Sequence, residues 1–350
     1  LGASLRRSVD IPVVGITGSV GKTSAKDMAK AVLARSGPVH SSPQSFNNEI
    51  GVPLTLLNTP DDVAALVLEL GARREGDIAS LCGIARPDIG VITTVAAVHT
   101  GVMGSVDVVA RTKGELLDGL PAGGCAVLNA DVPEVMTQAV RTRARQITFG
   151  AAGEVRASAR SVDDHLQVSF LLESPWGRTD VHLGVPGVHM VDNALAAAAV
   201  GLVLDVPLEE VAVGLSEARL SPGRMQMETA PSGMLVVNDA YNASPTSVEA
   251  ALRTVSSLPD TGRKVAVLGL MAELGEESND AHQHVVAIAR ELGVEVFAVG
   301  TDLYGIESLE GIDEAFEAVV GLGLGDGDSV LVKGSLVAGL QELAERLSAL

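Results

Sequence analysis

The chain is 350 residues long, room for about two domains with a buried core each. Against 25 Lys and Arg stand 44 Asp and Glu, a formal net charge of −19, and aromatic residues make up 2% of the chain. These figures argue against a nucleic-acid partner, which calls for a basic footprint to displace counterions and for rings on which bases stack.

Up to about residue 220, short apolar runs alternate with longer amphipathic ones, the pattern of βαβ units. Residues 9–16 read as a strand and 23–35 as a helix. A helix over 50–57, a buried strand over 64–69, a helix over 78–85 and a strand over 89–95 follow. Residues 106–117 then have helical spacing, and 125–129 form a fourth strand. From about 155 to 183 the stretches LQVSFLLE and TDVHLGV alternate with a period of two, predicting an antiparallel excursion beside the parallel sheet. Residues 191–204 return to helix, opened by Asp192 and Asn193 and filled with alanines. The turn cluster Ser221-Pro222-Gly223-Arg224 marks the expected boundary between domains 1–220 and 221–350. Beyond it, strands over 234–237, 264–268, 295–299 and 329–332 alternate with helices over 247–258, 281–292, 312–319 and 337–347.

Cys82 and Cys125 are too few for a disulfide framework and suit a reducing compartment. The longest wholly apolar stretch, residues 194–204, falls short of the roughly 20 residues of a membrane span. No secretory leader is visible, and the first residue is Leu rather than Met. The expectation is an acidic cytoplasmic α/β protein with no membrane partner.

The strongest local signal is Gly15-Ile16-Thr17-Gly18-Ser19-Val20-Gly21-Lys22-Thr23-Ser24, between the first strand and the first long helix. Glycines let backbone N–H groups close around phosphate oxygens, and the helix adds its positive dipole end. Lys22 can reach the β- and γ-phosphates, and the Thr23 hydroxyl can bind Mg²⁺. The longer G-x-x-x-x-G-K-[ST] form is not met, because Ile16 stands five residues before Gly21; the shorter T-G-x-x-G-K-T form is. The alternative is an ordinary glycine-rich turn with a solvated lysine. Glu69, at the end of a buried strand, can hold Mg²⁺ against the phosphates or simply face solvent.

TGSVGKTS resembles the nucleotide loop of the Mur ligases, the ATP-dependent amide-forming enzymes of peptidoglycan precursor synthesis. Further fragments resemble the family in order: SFNNEIGVPLTLL (45–57), LELGA (68–72), RTKGEL (111–116), LNAD (128–131), GVHMVDNALAAAA (187–199), SPGR (221–224), NDAYNASPTS (238–247), LGLMAELGEES (268–278) and LVKGS (331–335). NNEIGVPLTLL, YNASPTS and VKGS are most similar to the branch that adds D-alanyl-D-alanine to UDP-N-acetylmuramoyl-tripeptide. The resemblance implies an α/β fold: a central phosphate-loop ATPase domain with a mostly parallel sheet, then a carboxy-terminal Rossmann-like α/β domain. It also implies a monomer.

The same resemblance implies roles for single residues. Gly18, Ser19, Gly21, Lys22, Thr23 and Ser24 would bind ATP, with Asn193 on the adenine side beside His189, Asp239 on the ribose and Arg224 on the γ-phosphate. Glu69 and Thr23 would hold one Mg²⁺, and His99 a second. Lys113 would be carbamylated by CO₂, turning a cation into a metal-binding carboxylate. That chemistry requires a neutral amine, hence desolvation or a nearby cation to lower its pKa. Asn47 and Asn48 would face the muropeptide, Asn242 would lie near the nucleotide cleft, and these three with Tyr241, Lys333 and Ser335 make up the expected substrate-binding set, in which Lys333 could receive a substrate carboxylate.

Each residue has a plainer reading. Asn193 can be a helix cap, Asn47 and Asn48 turn residues, Tyr241 and Asn242 loop scaffolding, and Arg224 and Lys113 surface cations. Thr100-Gly101, Met190, Leu270 and Leu336 depart from residues frequent in the family. Full-length members carry an amino-terminal domain that grips UDP, whereas sixteen residues precede Thr17 here. The chain therefore reads as a fragment or a reduced relative, keeping ATP binding with weak UDP-substrate affinity. A sister ligase with another amine, a regulatory nucleotide-binding module and a noncatalytic partner subunit are the rival readings.

Overall fold

The structure is a computed structural model that describes residues 2–8, 10–96, 105–259 and 262–350. Helix α1 (Gly2–Ser8) leads into β1 (Val13–Thr17), and α2 (Lys22–Leu33), β2 (Val39–Ser41), α3 (Gly51–Leu57), β3 (Ala65–Glu69) and α4 (Asp77–Ala85) follow. Next come β4 (Ile89–Ile92), α5 (Val106–Asp118), β5 (Cys125–Asn129), α6 (Pro133–Met136) and β6 (Arg145–Phe149). The six strands form a parallel sheet ordered β2-β3-β1-β4-β5-β6. Helices cover both faces, so β1, β3, β4 and β5 are buried along their whole length and read as continuous apolar runs. Alternation still sorts their side chains: Val13, Leu66 and Leu68 face a core with Ile78, Val109 and Leu116, while Val14, Ile16 and Val67 face α2.

Strands β7 (Arg156–Val162), β8 (Gln167–Ser174) and β9 (Gly177–Pro186) form the antiparallel excursion. Helices α7 (Met190–Val203) and α8 (Leu208–Glu217) come next. The alanines of α7 are buried, and its Gly201 leaves room for Val32 of α2. Small side chains thus let α7 lie close along the helix that follows the phosphate loop.

The second sheet is built from β10 (Gln226–Thr229), β11 (Leu235–Asn238), α9 (Pro245–Ser256), β12 (Lys264–Leu268), α10 (Ser278–Glu291), β13 (Glu295–Val299), β14 (Ser308–Leu309), α11 (Ile312–Gly321), β15 (Ser329–Lys333) and α12 (Gln341–Ser348). Its order is β10-β11-β15-β12-β13-β14, parallel except for β10. One apolar core cluster includes Val14 and Ile16 of the first sheet and Val237, Ala266 and Leu331 of the second. The α/β class with a mostly parallel sheet and a second α/β unit is therefore as the sequence led one to expect. No helix among the described residues is long and apolar enough to cross a membrane.

Several boundaries differ from the sequence reading. The first strand begins at Val13 rather than residue 9, because Pro12 has no N–H to give the ladder; residue 9 itself lies outside the described residues. The helix expected over 337–347 is split: a 3₁₀ turn over Leu336–Ala338 ends at Gly339, with φ of 68°, before α12 starts. Strands β2, β6, β10 and β14 and helix α8 had no counterpart in the sequence reading. β6 and β10 carry mostly exposed or half-buried polar side chains, and β2 and β14 are only three and two residues long.

Candidate active site

Strand β1 lies between β3 and β4, with Ile16 beside Glu69 and Thr17 beside Ile92. Three carboxyl ends therefore adjoin, the position where open α/β sheets accept ligands. The loop after β1 is pinned at that edge. Ser19 N–H donates to Thr94 O at 2.8 Å, Thr93 Oγ1 donates to Val20 O at 2.6 Å, and Thr17 Oγ1 donates to Leu70 O at 2.8 Å. A Cβ on Gly18 would meet Thr93 Oγ1 at 2.1 Å. One on Gly21, whose φ is 86°, would meet Asn193 Oδ1 at 2.3 Å. Asn193 thus lies against the loop, half-buried on the first turn of α7. No side chain caps the start of α2, which leaves its first N–H groups and dipole end to a ligand.

Lys22 Nζ donates to the loop carbonyls of Gly18 at 2.7 Å and Ser19 at 3.1 Å. Thr23 Oγ1 donates to Glu69 Oε2 at 2.5 Å, and Asn47 Nδ2 donates to Glu69 Oε1 at 2.7 Å. Glu69 is 1% exposed, so these two donors meet the carboxylate's need for partners. Thr23 and Glu69 present hard oxygens, a donor set suited to Mg²⁺, which takes one or two carboxylates and completes its shell with substrate phosphates and water.

The segment carrying Asn47 is positioned from α2. Lys26 is 1% exposed and donates to the carbonyls of Ser42 and Gln44, both at 2.8 Å. It also lies 3.2 Å from Asp27, whose Oδ2 accepts from Ser221 N at 2.7 Å. Asn48 Oδ1 accepts from the Ile50 and Gly51 amides at 3.2 and 2.9 Å and so serves the start of α3. Of the two asparagines, one reaches the buried carboxylate and the other holds a turn.

Lys113, in the middle of α5, is 2% exposed, and among the described residues its ammonium has no hydrogen-bond or ion-pair partner. Burial, and next the positive Lys22, push its pKa down to about 7. Both conditions for a neutral amine are met. Burial also holds Lys22 below the ordinary range, with Glu69 opposing the shift and Arg224 adding to it. His99, Thr100 and Gly101 lie outside the described residues.

Arg224 comes from the connection between the two sheets. Its guanidinium lies over the Tyr241 ring, 4.5 Å from the centroid, and its Nε is buried with no hydrogen-bond partner among the described residues. Tyr241 OH meets Ser45 Oγ of the first half. Asp239, just after β11, accepts from Met225 N at 3.1 Å through Oδ1 and from Lys333 through Oδ2. Lys333 ends β15, is 3% exposed, and also donates to Asn242 O at 2.9 Å. Ser335 Oγ accepts from Ala272 N at 2.9 Å and donates to Ala243 O at 3.4 Å. His189 Nδ1 lies 3.2 Å from Thr254 Oγ1, and burial lowers its pKa.

The structure thus gathers Lys22, Thr23, Glu69, Asn47, Lys113, Asn193 and Arg224 around the loop. Asp239, Asn242, Lys333 and Ser335 form an adjoining group at the carboxyl edge of the second sheet. The sequence reading missed Lys26, Asp27, Ser42 and Ser45. A signal existed for Lys26: it falls between Ala25 and Met28, Ala29 on the apolar face of α2, where a cation needs a partner.

The sequence profile of the Mur ligase middle domain matches residues 16–201, and that of the Mur ligase glutamate ligase domain matches residues 223–336. The chain is 40% identical to a UDP-N-acetylmuramoyl-tripeptide--D-alanyl-D-alanine ligase of Mycobacterium bovis, over 97% of its own length and 73% of the relative's. It is 34% identical to the Escherichia coli protein of the same name, over 99% and 79%. Among solved structures it resembles MurF from Acinetobacter baumannii, with a TM-score of 0.91 at 30% identity, over 99% of this chain and 79% of that one. It also resembles Thermotoga maritima MurF in complex with ADP, with a TM-score of 0.89 at 27% identity, over 99% and 81%.

Proposed function

We infer the activity from one premise: the chain belongs to the Mur ligase family. On that basis we propose that it joins D-alanyl-D-alanine to UDP-N-acetylmuramoyl-tripeptide, converting ATP to ADP and phosphate, in peptidoglycan precursor synthesis. The observation that carries the reading is the convergence of Lys22, Lys113 and Arg224, drawn from both halves of the chain, on the loop that bears Thr23 beside Glu69. Two cations, Lys22 and Arg224, beside a single buried carboxylate form a site for a metal-bound polyanion, with the Lys113 amine next to it.

The chemistry follows from the need to activate an inert acid. A terminal carboxylate oxygen of the tripeptide attacks the γ-phosphorus, the bond to ADP breaks, and an acyl phosphate forms. The dipeptide amine then attacks the acyl carbon, loses a proton, and expels phosphate as the amide forms. Gly18, Ser19, Gly21 and Ser24 offer loop contacts to the phosphates, Lys22 offsets charge on the β- and γ-phosphates, and Arg224 does so from the opposite side. Asn193 serves the adenine side and Asp239 the ribose.

Thr23 and Glu69 would hold Mg²⁺, which when bound neutralises phosphate charge. Neutral Lys113 Nζ can add to CO₂ with release of a proton; the resulting carbamate supplies oxygens for a second ion, for which the resemblance also names His99. Asn47, Asn48, Tyr241 and Asn242 border the acceptor side. Lys333, sharing its ammonium with Asp239, and Ser335 are the candidates for the dipeptide. A monomer in the cytoplasm completes the proposal.

The test is phosphate release by this chain with ATP, Mg²⁺ and UDP-N-acetylmuramoyl-tripeptide, with and without D-alanyl-D-alanine or other amines, followed by mass analysis of the product. Release that depends on the dipeptide, with a product of the summed mass less water, is expected. Hydrolysis of ATP without an amide product for any amine would replace the ligase with a nucleotide-binding module, and preference for a different amine would make it a sister ligase.

A further inference from the structure

The first sheet's nucleotide loop and Arg224 of the connection must be brought into register, and one path of contacts does this. Among the described residues the Arg224 guanidinium has no hydrogen bond through its buried Nε. What orients it is the Tyr241 ring at 4.5 Å. The ring is fixed in turn: Tyr241 N–H donates to Gly223 O at 3.2 Å, so the turn bearing Arg224 rests on the Tyr241 backbone. A Cβ on Gly223 would lie 3.3 Å from Tyr241 Cβ, which shows how closely the two segments approach.

At the far end of the same ring, the hydroxyl meets Ser45 Oγ, 196 residues away in sequence. Ser45 stands two residues before Asn47, whose amide holds Glu69, and the segment is clamped by Lys26 through Ser42 and Gln44. The path therefore runs from the guanidinium through one ring and one hydroxyl pair to the carboxylate beside Thr23.

We propose that Ser45 and Tyr241 form a latch between the two halves of the chain: Tyr241 is a positioning residue that presents Arg224 to the nucleotide loop when the segment bearing Asn47 is seated on Glu69. The latch gives the arginine and the carboxylate a common on-state. Its use in catalysis rests on the ligase reading; its existence as a mechanical coupling does not. Linkage makes the coupling reciprocal, so loosening either end must loosen the other.

Amide hydrogen exchange of the full chain tests this without requiring turnover. Ser45→Ala is expected to speed exchange at the Met225 and Tyr241 amides, in the other half of the chain. Tyr241→Phe is expected to speed exchange at the Phe46 and Gly71 amides, which donate to Pro43 O and Asn47 O. Each effect should be about three- to tenfold, the factor one hydrogen bond carries. Ser45→Thr, which keeps the hydroxyl, should restore protection. In the phosphate-release assay, Ser45→Ala and Tyr241→Phe should lower kcat with little change in the KM for ATP, and the double variant should be no slower than the slower single one.

Exchange changes confined to the segment that carries the substitution would overturn the latch, as would losses that multiply in the double variant. A wild-type chain that releases no phosphate would count against the ligase reading alone, and the exchange result would still decide the latch.

Discussion

Lys113 is 2% exposed, and no carboxylate pairs with its ammonium among the described residues. Its pKa of about 7 in the fold, against 10.5 as the ordinary value, means the unfolded chain binds the proton more tightly across that interval. Stability therefore rises as pH climbs from 7 toward 10.5, and the cost of the residue is greatest at and below pH 7. It is on the order of 4 kcal/mol there. Lys113→Met should raise the melting temperature at pH 7, show a gain that shrinks toward pH 10.5, and abolish ligation. Calorimetry at several pH values, beside the phosphate assay, measures both. Asn47 makes the complementary case. It was legible as a motif residue but not as the partner of Glu69, which lies 22 residues away. If Glu69 holds Mg²⁺, Asn47→Ala should weaken the Mg²⁺ dependence of ATP binding about 10- to 100-fold while leaving the affinity for metal-free ADP near wild type. Titration calorimetry with and without the metal separates the two.

Helix α2 is more than the end of a phosphate loop. Its first turn offers N–H groups to a ligand, and its second turn carries Lys26 and Asp27, which reach the 42–44 segment and the connection at Ser221. Asp27→Ala would leave Lys26 buried with only carbonyl partners and would free the Ser221 amide. A loss of roughly 3 kcal/mol is expected, the penalty for breaking a buried pair, measured by urea unfolding. Element by element, legibility followed burial. β1, β3, β4, β5, β11, β12 and β15 announced themselves as apolar runs because helices cover both faces of their sheets. β6 and β10 carry mostly polar, exposed or half-buried side chains, and β2 and β14 are too short to show a period, so neither pair left a hydrophobic signature. Gly339 cut a helix that the apolar spacing alone would have continued.

At the scale of the whole molecule, burial lowers the pKa of three histidines among the described residues. His40 and His189 each meet a threonine oxygen. His282, completely buried against the edge of Tyr304, accepts from Met271 N at 2.9 Å through Nε2 and faces Ser278 O through Nδ1. In all three, burial lowers the pKa below the ordinary 6.5. The unfolded chain then takes up protons first as pH falls, so the stability these sites contribute is complete above 6.5 and is lost below it. Thermal unfolding should therefore occur at a lower temperature near pH 5 than near pH 7.5, with the His282 ring titrating below 6.5 by NMR. A melting temperature unchanged over that interval would refute the assignment. The α/β class, the phosphate loop and the kinship with Mur ligases were all determined by the sequence itself, because periodicity, glycine spacing and short motifs are local properties of a chain. The tertiary structure alone decided that Asn47 holds Glu69, that Tyr241 reaches Ser45 across 196 residues, and that Lys113 is buried. The reason is physical: desolvation and contact depend on every segment that folds over a side chain, and no stretch of sequence contains its own neighbours.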